Sequence, residues 1–129
     1  AAVADYRPES AADQKIKKTN DSMSIHLIRN PDIISHIASH PKRPFTVGFA
    51  AETENVKRYA RGKLQAKGLD LIIANDVSHS DSGFNSDNNE VSVIWDNGEQ
   101  DFPKCSKQQL GRVLIAEVAS RFNRQSKAK

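Results

Sequence analysis

The sequence predicts an α/β fold: a doubly wound, Rossmann-like, mostly parallel sheet that ends in a hairpin and a carboxyl-terminal helix. Three observations predict it. First, Thr46-Val47-Gly48-Phe49-Ala50-Ala51 and Leu71-Ile72-Ile73-Ala74 are short apolar runs separated by a helical stretch, as buried parallel strands joined by a crossover helix should be. Second, Val91 to Trp95 and the segment reaching Phe102 flank Asp96-Asn97-Gly98, and Asn-Gly is the signal of a type I′ hairpin. Third, Leu110, Val113, Leu114, Val118 and Phe122 recur at helical spacing, giving a last helix with one apolar stripe.

Taken in order, Ala1-Ala2-Val3-Ala4-Asp5 reads as the end of a buried parallel strand, with Tyr6-Arg7-Pro8 as its exit turn. A chain seldom begins inside a core strand, so the polypeptide is expected to start upstream and the domain to be truncated on its amino-terminal side. Polar residues run from Pro8 to Asn20-Asp21, interrupted by Ile16. Met23 to Arg29 partly alternates and predicts a short strand with one wet face. Asn30 is the expected N-cap of a helix whose first position is Pro31, whose stripe is Ile33, Ile34 and Ile37, and whose stop is His40-Pro41. Thr53 is the expected N-cap of the crossover helix, which turns Val56, Ala60 and Leu64 to the sheet and Lys57, Arg58 and Arg61 elsewhere. Gly68 suits its C-cap, and a right-handed crossover is expected. Residues 75–90 read as a long polar loop carrying Phe84, and Ser106 with Gln109 opens the last helix as a capping box. The tail beyond Phe122 is expected to fray. A single domain over residues 1–129 follows from the length.

Composition is that of a globular chain, with 27% charged residues. No apolar run approaches the ~20 residues that span a bilayer, so no membrane contact is expected. One cysteine, Cys105, excludes an internal disulfide and suits a reducing cytoplasm. The net charge of +3 is uneven: residues 1–67 hold twelve Lys/Arg against seven Asp/Glu, and residues 68–129 hold seven against nine. A basic first half attracts phosphorylated ligands or nucleic acid, and composition does not separate the two.

Lys63 and Lys67 lie one turn apart on one face of the crossover helix. Such a pair is most often a solvated face; after a glycine-containing strand in a basic half it also fits phosphate binding, as point charges. Gly48 to Thr53 is neither a Walker loop nor a dinucleotide fingerprint, because the required glycines are absent. Asp5, at a strand end, is either a ligand or Mg²⁺ partner or a turn carboxylate. The Lys15-Ile16-Lys17-Lys18 run is either a solvated, nucleic-acid-attracting segment or a closing loop that neutralises developing charge. His26, His36, His40 and His79 form no ligand set, which argues against zinc and against a catalytic triad. A basic nucleic-acid-binding module without catalysis is the competing class, weakened by the lack of aromatics among the basic residues.

Several motifs stand in one order: Ala1 to Pro8, Lys15 to Lys18, Asn30-Pro31-Asp32-Ile33, Gly48 to Thr53, Lys63-x-x-x-Lys67-x-x-Asp70, Ala74-Asn75-Asp76-Val77 and Phe84 to Asn89. The series resembles the bacterial phosphopantothenate–cysteine ligase, the carboxyl-terminal part of the bifunctional coenzyme A biosynthesis protein, over nearly the whole chain. The resemblance implies an enzyme that uses CTP and Mg²⁺ to activate 4′-phosphopantothenate as an acyl-cytidylate. L-Cysteine then attacks, giving 4′-phosphopantothenoylcysteine and CMP after release of pyrophosphate. It implies that Ala1, Asp5, Pro31, Asp32, Ile33, Ile34 and Phe49 surround the nucleotide, with Asp5 also the metal partner. Lys63 and Lys67 match the phosphate-side lysines, and Lys15 matches a catalytic loop lysine that binds the nucleotide and assists conversion of the acyl-cytidylate. A homodimer is implied, with residues 23–29 a candidate interface, and no nucleic-acid partner. The family's amino-terminal ligase segment and the flavin decarboxylase half have no counterpart here. FMN is therefore not expected on this chain, and whether the chain alone catalyses the reaction stays open.

Overall fold

The computed structural model describes residues 4–18, 21–78 and 87–127. Two compact units divide the chain, Ala1–Ile33 and Ile34–Lys129. The first is built on β1 (Tyr6–Pro8) and β2 (Leu27–Arg29), paired antiparallel with Arg7 opposite Ile28. The segment expected to be an exit turn is thus itself a strand, while Ala4 and Asp5 are exposed rather than buried in a parallel strand. The strand expected from Met23 is confined to its last three residues. Asn30 explains the arrangement. Its side chain donates to the Ala4 carbonyl at 2.6 Å and accepts from the Arg7 guanidinium at 2.8 Å, and its N–H reaches the Asp5 carbonyl. An asparagine fastening two chain segments is not available as a helix cap, and α1 (Ile33–Ala38) starts three residues later than Asn30.

The second unit is an α/β structure around a four-stranded sheet of order β3-β4-β5-β6. Its strands are β3 (Val47–Glu52), β4 (Leu71–Asp76), β5 (Asn88–Trp95) and β6 (Gly98–Ser106). β3 and β4 run parallel, joined through α2 (Val56–Lys67). β5 and β6 form the expected hairpin, and β5 lies antiparallel beside β4. Among the described residues the parallel pairing is therefore that of β3 with β4.

Strand alternation splits the core in two. Ala50, Ile72, Ala74 and Ile94 meet Ala60 and Leu64 of α2 and Ala38 of α1 on one face. Leu71, Ile73, Val91, Val93 and Phe102 meet Leu110 and Leu114 of α3 (Lys107–Lys127) on the other. Helices on both faces make the sheet doubly wound. The α2 stripe of Val56, Ala60 and Leu64 packs as its spacing requires, and Gly68 closes the helix at φ 65°, with its N–H on the Gln65 carbonyl.

Other boundaries differ from expectation. α2 begins after Asn55, itself at φ 46°, so Thr53 does not cap it. The span read as a polar loop is shortened from both ends, because β4 runs to Asp76 and β5 starts at Asn88; Phe84 and His79 lie outside the described residues. α3 continues as helix to Lys127 instead of fraying after Phe122. The Phe122 and Phe45 rings pack edge to face with centroids 5.9 Å apart, and Gln125 donates to Asp70 at 3.0 Å. The capping contact at its start is present, Gln109 N–H on Ser106 Oγ at 3.2 Å, but Val113 and Phe122 are more exposed than a buried stripe implies. Among the described residues β3 is an outer strand, and Phe49 is 77% exposed, so they do not cover it on both faces.

The hairpin pairs Trp95 with Gly98, leaving Asp96 and Asn97 as the loop, and neither of these takes the positive φ that a type I′ turn requires at both central residues. Gly98 answers a different need. A Cβ there would lie 2.6 Å from Cζ2 of Trp95, whose ring carries the Arg121 guanidinium 3.2 Å from its centroid. The indole would have to shift to make room, and a shift disturbs that cation–π contact. Gly98→Ala is expected to destabilise by about 1–3 kcal/mol, as overpacking does. Urea denaturation followed by Trp95 emission, the single tryptophan, checks this; an unchanged midpoint and spectrum would refute it.

Candidate functional site

The residues singled out from sequence fall on both units. Ala1 lies outside the described residues. In the first unit Asp5 is exposed, and its main-chain carbonyl accepts the Asn30 N–H at 2.8 Å. Lys15 is exposed in a stretch without helix or strand. Pro31 and Asp32 are exposed and lead into α1, where Ile33 is 53% exposed.

In the second unit Ile34 packs against the core face that α2 covers. Phe49 points to the opposite face of β3, with Val47, because successive strand residues alternate. The structure therefore sets Phe49 and the two α2 lysines on opposite sides of the strand. Lys67 lines a shallow hollow with Ser35, His36, Ser39 and Gln65, between α1 and the end of α2. Lys63 reaches the carboxyl end of β3, where its Nζ lies 2.6 Å from Oε1 of Glu52. That end of a strand is where α/β proteins place ligands. Glu52 is opposite Asp76 in register, and Asp76 Oδ1 accepts from the Ser78 N–H and hydroxyl at 2.9 and 2.6 Å.

Two further basic residues of α2 are paired with acids of β6. Lys57 Nζ bridges Asp101 and Glu99 at 2.8 and 2.9 Å, and Arg61 donates to Glu99 at 2.9 Å. Its hydrogen bonds to Asp101 and then to Glu99 raise the Lys57 pKa, while Lys57 and Arg61 lower that of Glu99. Asp101 is lowered by Lys57 and by the Ser92 hydroxyl. The positive excess of the first half of the chain is thus partly neutralised by acids of the second. At the other end of the sheet, Arg43 grips Asp70 with two bonds of 2.6 and 2.9 Å. Among the described residues no group of three or more His, Cys, Asp or Glu is arranged to hold a metal, and no helix is long and apolar enough to cross a membrane.

Sequence reasoning missed Glu52, which stands just before the expected N-cap Thr53. No periodicity links it to Lys63, since one stands on a strand and the other on a helix. It also missed the role of Asn30.

The profile of the family described as "DNA/pantothenate metabolism flavoprotein C-terminal domain" matches residues 1–122. The chain belongs to this family. It is 55% identical over 121 residues to the "Coenzyme A biosynthesis bifunctional protein CoaBC" of Vibrio parahaemolyticus, covering 92% of this chain and 30% of that protein. To the protein of the same name from Escherichia coli K12 it is 46% identical over 131 residues, covering 98% and 32%. The chain thus spans about a third of the length of these relatives. Among solved structures, the C-terminal domain of a CoaBC protein superposes with a TM-score of 0.67 at 30% identity, over 92% of this chain and 50% of that one. The DNA/pantothenate metabolism flavoprotein from Streptococcus pneumoniae, at 21% identity and a TM-score of 0.69 over 92% and 60%, shares the fold.

Proposed function

We propose that this chain is the carboxyl-terminal portion of the ligase domain of a CTP-dependent phosphopantothenate–cysteine ligase, acting in coenzyme A biosynthesis. The observation that carries the reading is the family match over residues 1–122, the span that contains Asp5, Lys15, Phe49, Lys63 and Lys67. In this reading the carboxylate of 4′-phosphopantothenate attacks the α-phosphorus of CTP, forming the acyl-cytidylate and expelling pyrophosphate. The amine of cysteine then attacks the acyl carbon, expelling CMP. Lys63 and Lys67 offset phosphate charge, and Lys15 offsets the charge that develops as the acyl-cytidylate is consumed. Mg²⁺, when bound, neutralises the triphosphate, and a solvent-facing carboxylate such as Asp5 suits a cation that keeps water and phosphate ligands and takes one or two carboxylates. Phe49, exposed on the face of β3 away from the lysines, is available to the nucleotide's cytidine end. The proposed dimer surface is residues 23–29, which expose Met23, Ile25 and Leu27.

The nucleic-acid alternative, built on the Lys15–Lys18 run and the helix lysines, is not favoured by the match to coenzyme A biosynthesis proteins, and Lys57 and Arg61 of the same helix pair with Glu99 and Asp101. The test is thermal unfolding of the full-length protein with Mg²⁺ and CTP, ATP or a short oligonucleotide. CTP at a hundredfold over Kd is expected to stabilise by about 2.7 kcal/mol, with less from ATP. A shift with the oligonucleotide and none with CTP overturns the proposal.

A further inference from the structure

We infer that Glu52 is a positioning residue that holds the Lys63 ammonium at the carboxyl end of β3 for the polyphosphate of the nucleotide. The inference rests on the reading of Lys63 given above and assigns the group that makes it effective.

The two partners are unequal. The Glu52 side chain is 15% exposed, and that of Lys63 is 47% exposed. Glu52 sits in register with Asp76 of β4, and its carbonyl accepts the Val77 N–H at 2.9 Å, so its backbone is fixed from the neighbouring strand. Lys63 projects from the middle of α2 on a long flexible stem. The carboxylate is the anchor and the ammonium is what it orients, at a separation of 2.6 Å. Without the anchor, the stem samples many rotamers, and ordering one of them is charged against ligand binding.

An ammonium has three donors and no acceptor. Glu52 accepts one, which leaves two for phosphate oxygens, so one lysine can bridge carboxylate and phosphate. A carboxylate near a polyphosphate also repels it. The two effects oppose each other and predict opposite signs, which makes the idea testable. If Glu52 merely adds negative charge, its removal tightens CTP binding; if it positions Lys63, its removal weakens binding.

The test is calorimetric titration of the full-length protein with CTP and Mg²⁺ for wild type, Glu52→Gln, Glu52→Asp, Lys63→Met and the Glu52→Gln/Lys63→Met double variant. Glu52→Gln is expected to weaken CTP binding about tenfold. Glu52→Asp, which keeps the charge but draws the ammonium back, is expected to fall between it and wild type, and it keeps the test open if the glutamine variant folds poorly. Lys63→Met is expected to lose at least as much as Glu52→Gln, and the double variant no more than Lys63→Met, since Glu52 acts through Lys63. Unchanged or tighter binding by Glu52→Gln, with Lys63→Met weakened, overturns the role of Glu52 alone. A further tenfold loss in the double variant also overturns it, by showing an independent action. Wild-type affinity in Lys63→Met overturns the reading of Lys63, and this inference with it.

Discussion

Lys15→Gln in the full-length protein is expected to stop formation of 4′-phosphopantothenoylcysteine while the acyl-cytidylate accumulates. Glutamine is one atom shorter and can still hydrogen-bond, but it lacks the charge that the proposed second half-reaction draws on. Loss of one donor aimed at developing negative charge costs about 10²–10³-fold in rate. In the proposed mechanism the first half-reaction draws on the lysines of α2 as well, so it is expected to persist. Lys15 is exposed and belongs to no helix or strand, so stability should change by no more than about 0.5 kcal/mol. Quenched reactions resolved for CMP, pyrophosphate and the acyl-cytidylate check the prediction. Normal turnover to product would remove Lys15 from the catalytic set.

The second large effect concerns folding. Asp70 has a side chain only 7% exposed, held by both nitrogens of the Arg43 fork, the Thr46 N–H at 2.7 Å and Gln125 of α3 at 3.0 Å. Asp70→Ala leaves the Thr46 N–H and the Arg43 guanidinium without that acceptor and unfastens the last turn of α3. A cost of about 3 kcal/mol is expected, in the range for breaking a largely buried pair. Burial opposes ionisation of Asp70, but the bonds from Arg43, Thr46 and Gln125 outweigh it and leave the pKa below the usual value. A carboxyl group with a depressed folded pKa stabilises fully above its unfolded pKa, about 3.9, and loses that contribution as pH falls through the folded value. The gap between wild type and the alanine variant should therefore be widest near neutrality and shrink below about pH 4. Urea denaturation at both pH values measures it, and a gap that widens in acid would contradict the assignment.

The parts of the fold legible in the sequence are those set by local pattern. Apolar spacing placed Val56, Ala60 and Leu64 against the sheet, and Gly68 ended α2 because a left-handed residue was needed there. The β5–β6 hairpin and the start of α3 were legible for the same reason. What escaped depends on partners distant in sequence. Asn30 reads as a cap until Ala4 and Arg7 are brought beside it. Arg43 and Asp70, or Lys57 and Asp101, are ordinary surface charges until the sheet assembles. Gly98 reads as a turn glycine, whereas the Trp95 ring is what requires it. At the candidate site, the lysine pair was visible from helix periodicity, but its carboxylate anchor was not, because Glu52 lies on a strand.

β3 carries one more consequence. Its side away from β4 has no partner strand among the described residues, and no charged residue interrupts Thr46 to Ala51. An apolar edge with a row of open N–H and C=O groups, and with Phe49 standing out of it, is a template onto which a strand of another molecule adds. Natural edges are blunted by a lysine, a proline or a bulge, and this one has none of them along that run. Among the described residues β3 is thus the edge where backbone pairing with a further strand, of the same polypeptide or of a second molecule, finds open N–H and C=O groups.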